Sequence, residues 1–579
     1  MKPTATTAGI ELRAGTFETI CDALDYAAEG NSGVNFYHSD GRLMNSLTYG
    51  ELRNNALGMA GQLAAAFARE SRIGLVAETS ADFVTAFMAC QYAGMVPAPL
   101  SLPAAFGGRK IYERQVGQMV RQAGLAALMT PASVRDIINS ALSGTSVRVV
   151  DMSGSDLPSG TALALRHGAN DLSYIQFSSG CTSQPKGIVA TQASVSANCR
   201  AIIQEGLQVV EGDRAVSWLP LYHDMGLVGF FIAPLYSQLS IDFLSPSDFA
   251  RRPGTWLKLI SENRGTLSYS PSFGYELCAR RYRGEVLDLS SWRAAGIGGD
   301  MVRSEALSAF TQTFAPSGFD PSAFVSSYGL AEATLAVSFA PLRAGLRTDD
   351  IDLARMQTSG RALPASDLTF EGTARRFVSS GRPLPSLDLR IVNDNDEALG
   401  DRQVGRIIVR GPSIAAGYFR VNEPLQPLTN EDGWLETGDL GYWNEDELVI
   451  TGRSKDLILW NGRNIWPQDI EGVAQEAGGR NIARSAAFDV QDENGAIKIL
   501  LLAECRSRDE AVRAELRRDI SAATRAATGA PVSVEFVAIR SLPTTSSGKL
   551  SRAAARIGFL AGDFVPQRQG NVVAGTLGA

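Results

Sequence analysis

The sequence predicts an α/β protein: a large N-terminal domain of α/β sheets that carries a small β-rich subdomain, followed by a smaller α+β domain at the C-terminus. Three observations predict it. Between Leu47 and Leu102 helix-like and strand-like stretches alternate, the pattern of a sheet with helices packed on it. From Asp388 to Tyr442 the texture becomes short β-like runs broken by Gly and Asn. Near Ser454 it changes again, and the remaining stretch of about 125 residues is long enough for a domain of its own. The boundaries are therefore 1–453 and 454–579.

In chain order, an Ala-rich stretch from Glu51 to Arg69 reads as helix, Ile73 to Ala77 as strand and Ala81 to Ala93 as helix. A helix near Val116 to Gln122 follows, then short apolar runs at Ala126–Met129 and Val147–Val150 and a strand at Leu172–Phe177 that continues the same series. A Ser/Gly/Thr-rich loop follows that strand at once, and in α/β sheets ligands gather beyond the carboxyl ends of strands. The β-rich part has runs at Leu389–Val392 and Arg406–Arg410. The last domain reads as a helix from Pro467 to Gln475, a strand at Ile497–Glu504, a charged helix from Asp509 to Thr528 and a strand at Val532–Ile539. From about 564 the chain is Gly/Val/Gln-rich without periodicity and is expected to be flexible.

Composition narrows the function. The 579 residues carry 54 Lys+Arg against 61 Asp+Glu, a formal charge of −7, and 45% are hydrophobic. No Lys/Arg run supplies the clustered charge that nucleic acid or a polybasic membrane contact needs. The longest stretch without charge, Val84 to Gly108, contains Pro97, Pro99 and Pro103 and cannot be one spanning helix. The start of the chain lacks the apolar core of a signal peptide, so the cytoplasm is the expected compartment. Six cysteines without CxxC spacing fit reduced thiols, and three histidines (His38, His167, His223) are too few for a His metal cluster.

The loop after Phe177, Ser178-Ser-Gly-Cys-Thr-Ser-Gln-Pro-Lys-Gly187, is dense in hydroxyls and glycine and ends in a lysine. Backbone N–H groups in such a loop form an anion nest and the lysine adds a point charge, although the spacing is not that of a GxxxxGK[ST] loop. A solvated Ser/Gly turn is the plainer alternative. Further blocks follow: Trp218-Leu-Pro-Leu-Tyr-His-Asp-Met-Gly226, Ser327-Tyr-Gly-Leu-Ala-Glu332, Thr437-Gly-Asp-Leu-Gly441, Gly452-Arg-Ser-Lys-Asp-Leu457, Asn461-Gly-Arg-Asn-Ile-Trp-Pro-Gln-Asp-Ile-Glu471 and Pro543-Thr-Thr-Ser-Ser-Gly-Lys549. In this order, over roughly Thr16 to Arg552, they resemble the adenylate-forming superfamily of acyl-CoA synthetases, adenylation domains and luciferases. The wording around Tyr222-His223-Asp224, Ala333-Thr334 and Asn464-Ile-Trp-Pro-Gln-Asp-Ile470 resembles its fatty acyl-AMP ligase branch.

The resemblance implies a two-step chemistry with ATP and Mg²⁺: a fatty acid carboxylate attacks the α-phosphate, pyrophosphate leaves, and the acyl-adenylate passes to a thiol. It makes Lys549 the cation at the reacting phosphate, Glu332 the Mg²⁺ ligand and His223 a gate between ATP and the acyl pocket. It assigns phosphate binding to Ser178, Ser179, Gly180, Thr182 and Lys186. It places Gly299 and Asp300 beside the adenine edge, the ring of Tyr328 with Gly329 over adenine, and Asp439 and Arg453 on the ribose hydroxyls. Two departures stand in the phosphate loop, Cys181 where the family has Ser or Thr and Ser183 where it often has Gly, and a thiol is the weaker donor. The C-terminal domain of such enzymes swings about a hinge, here Lys455 by position.

Between Glu332 and the Gly381-Arg-Pro383 block the chain is longer than in most acyl-CoA synthetases, which indicates an insertion at about 343–376. A disordered loop is the plain reading of such a stretch. In fatty acyl-AMP ligases an insertion here accompanies poor use of coenzyme A and delivery to an acyl carrier protein. No carrier segment is recognised in this chain, so the acceptor would be a separate protein. Three readings follow: a fatty acyl-AMP ligase, a fatty acyl-CoA synthetase, and a catalytically inactive nucleotide- or partner-binding module. ATP–pyrophosphate exchange separates the first two from the third, and a CoA-thioester assay separates them from each other.

Overall fold

The computed structural model describes residues 2–103, 109–177, 186–365, 374–491, 497–544 and 549–564. These fall into two compact units, one drawn from 2–353 and 360–454, the other from 354–359 and 455–564.

In the first unit a nine-stranded sheet carries six parallel strands in the order Phe324–Gly329, Ala294–Ile297, Leu267–Ser270, Ala215–Ser217, Ile241–Leu244 and Gly33–Tyr37, with antiparallel strands at both edges. A second sheet, all parallel, orders Val96–Leu100, Arg72–Val76, Ala127–Thr130 and Arg148–Asp151. Pro97 and Pro99 sit in its edge strand, the position where a missing N–H costs least. The helices expected at 51–69 and 81–93 form as Tyr49–Ala66 and Ala81–Tyr92. The first starts at a capping box in which the Thr48 hydroxyl accepts from Glu51 N–H and the Glu51 carboxylate accepts from Thr48 N–H.

One expected connection differs. The strand Leu172–Phe177 does not extend the parallel series; it pairs antiparallel with Gly187–Thr191, which pairs in turn with Gly417–Phe419. The phosphate loop therefore connects a hairpin, and the next helix, Gln192–Arg200, starts only after the second strand, at its own Thr191 cap. The β-rich subdomain is a four-stranded antiparallel sheet of Asp388–Val392, Gly405–Arg410, Leu435–Asn444 and Glu447–Arg453.

The insertion is structured wherever it is described; 366–373 lie outside the described residues. Thr348–Asp352 pairs antiparallel with Ala374–Val378, and Leu353–Ser359 is helical. Asp349 is buried and accepts from Arg402 Nη1 at 2.9 Å and from the Tyr442 hydroxyl at 2.7 Å, which fastens the hairpin to the β-rich sheet. Ala354–Ser359 belongs to the second unit, where Arg463 donates to Gln357 Oε1 at 3.0 Å.

The second unit has a three-stranded sheet of Ile482–Gln491, Ile497–Cys505 and Val532–Val537. Alternation along the central strand sends Ile499, Leu501 and Ala503 into one core with Ile470, Ala474, Leu516 and Ile520, and Leu500 and Leu502 into another with Ala555. Asp509 caps the helix Glu510–Thr528 by accepting from Ala511 and Val512 N–H, and Gly529, at φ +70°, ends it. The sequence's charged helix at 509–528 is this element. The expected flexible tail falls almost wholly on 565–579, outside the described residues. Among the described residues no helix is long and apolar enough to cross a membrane, and five buried cysteines are unpaired.

Replacing Asp349 by Ala leaves the Arg402 guanidinium without its carboxylate and Tyr442 without its acceptor. The expected cost is about 2–3 kcal/mol, read as a lower urea midpoint at constant m-value. An unchanged midpoint contradicts the anchoring role.

Candidate functional site

At the end of the parallel strand Phe324–Gly329 the chain turns through Ala331–Ala333 and returns as Ala336–Phe339. Gly329 is required there, since a Cβ would lie 2.0 Å from the Leu335 carbonyl oxygen. Leu335 N–H donates to the Ala333 carbonyl at 2.8 Å across Thr334, whose φ of +68° and ψ of −54° are those of the strained form of γ-turn. A buried β-branched residue does not adopt this backbone without compensation. The compensation is visible: Thr334 Oγ1 donates to the Ser413 carbonyl at 2.7 Å, and Ala415 N–H donates to the Glu332 carbonyl at 2.9 Å. From the other side the buried Asn198 amide donates to the Ala336 carbonyl at 2.9 Å and accepts from Ala336 N–H at 3.0 Å. The turn is held on both flanks, and Glu332 sits at its crest with Oε1 accepting from the Tyr418 hydroxyl at 2.9 Å.

Of the phosphate-loop residues, Ser178, Ser179, Gly180 and Thr182, with Cys181 and Ser183, lie outside the described residues. Lys186 is described. It precedes the strand Gly187–Thr191, and its Nζ lies 4.3 Å from the centroid of the Tyr418 ring. On the strand leading into the loop, the Gln176 amide donates to the Tyr222 carbonyl, tying that strand to the turn that carries His223. Met225 N–H donates to Asp224 Oδ1 at 2.7 Å, and His223 Nδ1 lies 2.5 Å from the same oxygen. The same Met225 N–H also reaches His223 Nδ1 at 3.3 Å, so the imidazole and the Asp224 carboxylate together cap the short helix that starts at Asp224.

A second cluster forms around Asp439. Asp439 and Arg453 are register partners across the strands Leu435–Asn444 and Glu447–Arg453, so their side chains share a face, with Arg453 Nε 3.2 Å from Asp439 Oδ1. The Tyr328 hydroxyl donates to Asp439 Oδ2 at 2.7 Å. Burial first, and the Asp439 charge second, hold this phenol well above its ordinary pKa, so it remains a donor. Gly299 and Asp300 are exposed and follow the parallel strand Ala294–Ile297, the neighbour of the strand that ends in Tyr328 and Gly329. The resemblance assigned Tyr328 through its ring; the structure adds a role for its hydroxyl.

Lys549 belongs to the second unit, while its neighbours Ser546, Ser547 and Gly548 lie outside the described residues. Thr544 and Leu550 form a β-bridge, and Ser551 N–H donates to the Pro543 carbonyl at 3.0 Å, which closes the loop below Lys549. Three residues on, Arg552 donates to both oxygens of Glu471 at 2.7 Å and to Asp456 at 2.8 Å. Burial works against its charge, but Glu471 and then Asp456 outweigh it and raise the guanidinium's pKa.

Sequence reasoning missed Tyr418, Asn198 and Arg552, and it named Thr334 only as part of the wording of the branch, not for its turn. Arg552 ends the stretch that the resemblance covers, three residues beyond its last block, and was within reach. The other three act through contacts between residues distant in sequence, which no spacing encodes.

The AMP-binding enzyme family matches residues 26–419. A Caulobacter vibrioides protein that carries the provisional name acyl-CoA synthetase is 43% identical over 97% of this chain and 98% of its own. A medium-chain-fatty-acid–[acyl-carrier-protein] ligase of Moorena producens is 33% identical over 94% of this chain and 96% of its own. A solved structure from work on fatty acyl-adenylate ligases of E. coli and L. pneumophila superposes with a TM-score of 0.90 at 39% identity, over 96% of this chain and all of that one.

Thr334→Ala removes the bond to Ser413 but keeps the strained backbone, so the turn loses compensation and keeps its cost. A stability loss of about 1–2 kcal/mol is expected in urea denaturation. A variant as stable as the wild type contradicts this account of the turn.

Proposed function

This chain belongs to the AMP-binding enzyme family, and from that premise we propose that it is a fatty acyl-AMP ligase. In this reading it joins a fatty acid to ATP as acyl-adenylate, releases pyrophosphate, and passes the acyl group to the phosphopantetheine arm of an acyl carrier protein supplied in trans. One observation carries the reading: Tyr328 is joined to Asp439 and through it to Arg453, and Glu332 through Tyr418 to Lys186, so that residues of blocks far apart in sequence are in contact. The fatty acid and the carrier protein come from the names of the relatives, and the structured insertion supports the same branch.

In this reading Asp439 accepts from the ribose hydroxyls and Arg453 donates to them, with Tyr328 fixing the Asp439 carboxylate. The Tyr328 ring with Gly329, and Gly299 with Asp300, flank the adenine. Lys186 and the loop of Ser178, Ser179, Gly180 and Thr182 take the phosphates. One fatty acid carboxylate oxygen attacks the α-phosphorus as the bond to pyrophosphate breaks, and Lys549 supplies positive charge to that transition state. His223 stands between the nucleotide and the acyl chain. Among the described residues no group of three His, Cys, Asp or Glu side chains could hold a metal, so a Mg²⁺ ion on Glu332 would take its other ligands from phosphate and water, as this hard cation ordinarily does. When bound, Mg²⁺ spreads the charge of the phosphates and the leaving pyrophosphate. The name of the 43% identical relative favours a second reading, an acyl-CoA synthetase.

Lys549→Ala is expected to lower acyl-AMP formation by on the order of 10²–10³ with an unchanged unfolding curve. Acyl-AMP formation near the wild-type rate removes Lys549 from the mechanism.

The insertion decides between the two readings, and its removal keeps the Asp349 anchor while taking away the buried Leu353, Met356 and Ala362. Asp349 must stay, and Asp352 and Ala374 are register partners, so residues 353–373 can be replaced by a two-residue Asn-Gly turn. The shortened enzyme is expected to make acyl-AMP as before and to release some acyl-CoA. If it makes acyl-AMP and yields no acyl-CoA above background, the insertion is not the gate.

A further inference from the structure

Resting on the AMP-forming reading above, we propose that Tyr418 is a positioning residue that holds the Glu332 carboxylate by its hydroxyl and the Lys186 ammonium by its ring, so that metal-bearing and phosphate-bearing groups face ATP as one arrangement.

The geometry is specific. The hydroxyl donates to Glu332 Oε1 at 2.9 Å, and the Lys186 Nζ stands 4.3 Å from the ring centroid. The backbone that carries Tyr418 is fixed on both edges. Tyr418 pairs with Ile188, two residues beyond Lys186, and exchanges N–H···O bonds of 2.8 and 3.1 Å with Gln426. Gly417 lets Gln426 come close, since a Cβ there would lie 2.5 Å from its carbonyl oxygen.

The chemistry requires such a spacer. An ammonium and a carboxylate left beside each other pair directly, and each then neutralises the charge the other needs for the substrate. Tyr418 satisfies both without letting them cancel. The π face attracts the ammonium while leaving its N–H groups for phosphate oxygens, and a neutral O–H donor orients the carboxylate without consuming its charge.

The two handles separate by substitution. Tyr418→Phe keeps the ring and removes the hydroxyl; Tyr418→Leu removes both. The test is calorimetric binding of the α,β-methylene analogue of ATP, once with Mg²⁺ and once with EDTA, so no turnover is needed. Tyr418→Phe is expected to bind like the wild type in EDTA and to lose about tenfold of the gain that Mg²⁺ confers. On a Glu332→Gln background the same change is expected to have no further effect, which a general structural defect would not produce. Tyr418→Leu is expected to weaken binding in EDTA as well, by about fivefold, and to add nothing on a Lys186→Ala background. Should the Leu variant not fold, the Phe variant and its Glu332→Gln cycle still decide the hydroxyl's role. The proposal is overturned if Tyr418→Phe keeps the full Mg²⁺ gain, or if folded Phe and Leu variants bind alike in EDTA. Failure of the wild type to bind the analogue overturns the AMP-forming reading instead.

Discussion

The turn from Gly329 to Ala336 is the constraint on which the first unit's site depends, because in the proposed reading the Glu332 carboxylate serves a phosphate-bound cation and must be held still before substrate arrives. The backbone at Thr334 is unfavourable by about 1–3 kcal/mol, and the surroundings hold it there. The Ser413 carbonyl, the Ala415 N–H and the Asn198 amide each satisfy a polar group of the turn or of the strand after it. Strain at a functional turn with its compensation in named bonds is preorganisation in a literal sense: the geometry is set during folding.

The same logic recurs in the second unit. The Lys549 loop is closed by the Thr544–Leu550 bridge, and Arg552 ties the start of the following helix to Glu471 and to Asp456, the residue after the expected hinge Lys455. In the proposed reading a flexible lysine suits a charge that must reach a reacting phosphate, and a rigid bidentate arginine suits the anchoring of its loop. In the first unit Asp349 does for the insertion what Arg552 does here, turning a stretch that reads as a loop into a hairpin with a buried anchor.

Much of this was legible before any coordinates. Alternation of apolar runs found the helices Tyr49–Ala66 and Ala81–Tyr92 and the strands Arg72–Val76 and Leu172–Phe177, because local period and capping set them. Partners were not legible. Leu172–Phe177 reads like any buried strand whether it joins a parallel series or folds back as a hairpin, since from Ser173 on it is buried on both faces. The strand Val96–Leu100 was hidden by two prolines that only an edge position permits. At the site, residues that touch substrate in the family stand in recognisable blocks, whereas Tyr418, Thr334 and Asn198 matter through neighbours 86, 79 and 138 positions away.

The central claim is that the chain activates fatty acids as adenylates and does not hand them efficiently to coenzyme A. The most direct measurement incubates the full chain with ATP, Mg²⁺, coenzyme A and a panel of fatty acids of increasing length, and quantifies acyl-AMP and acyl-CoA together by mass spectrometry. The account predicts acyl-AMP that depends on the fatty acid, with acyl-CoA a minor product throughout. Acyl-CoA as the main product, or no acyl-AMP with any chain length, would contradict it.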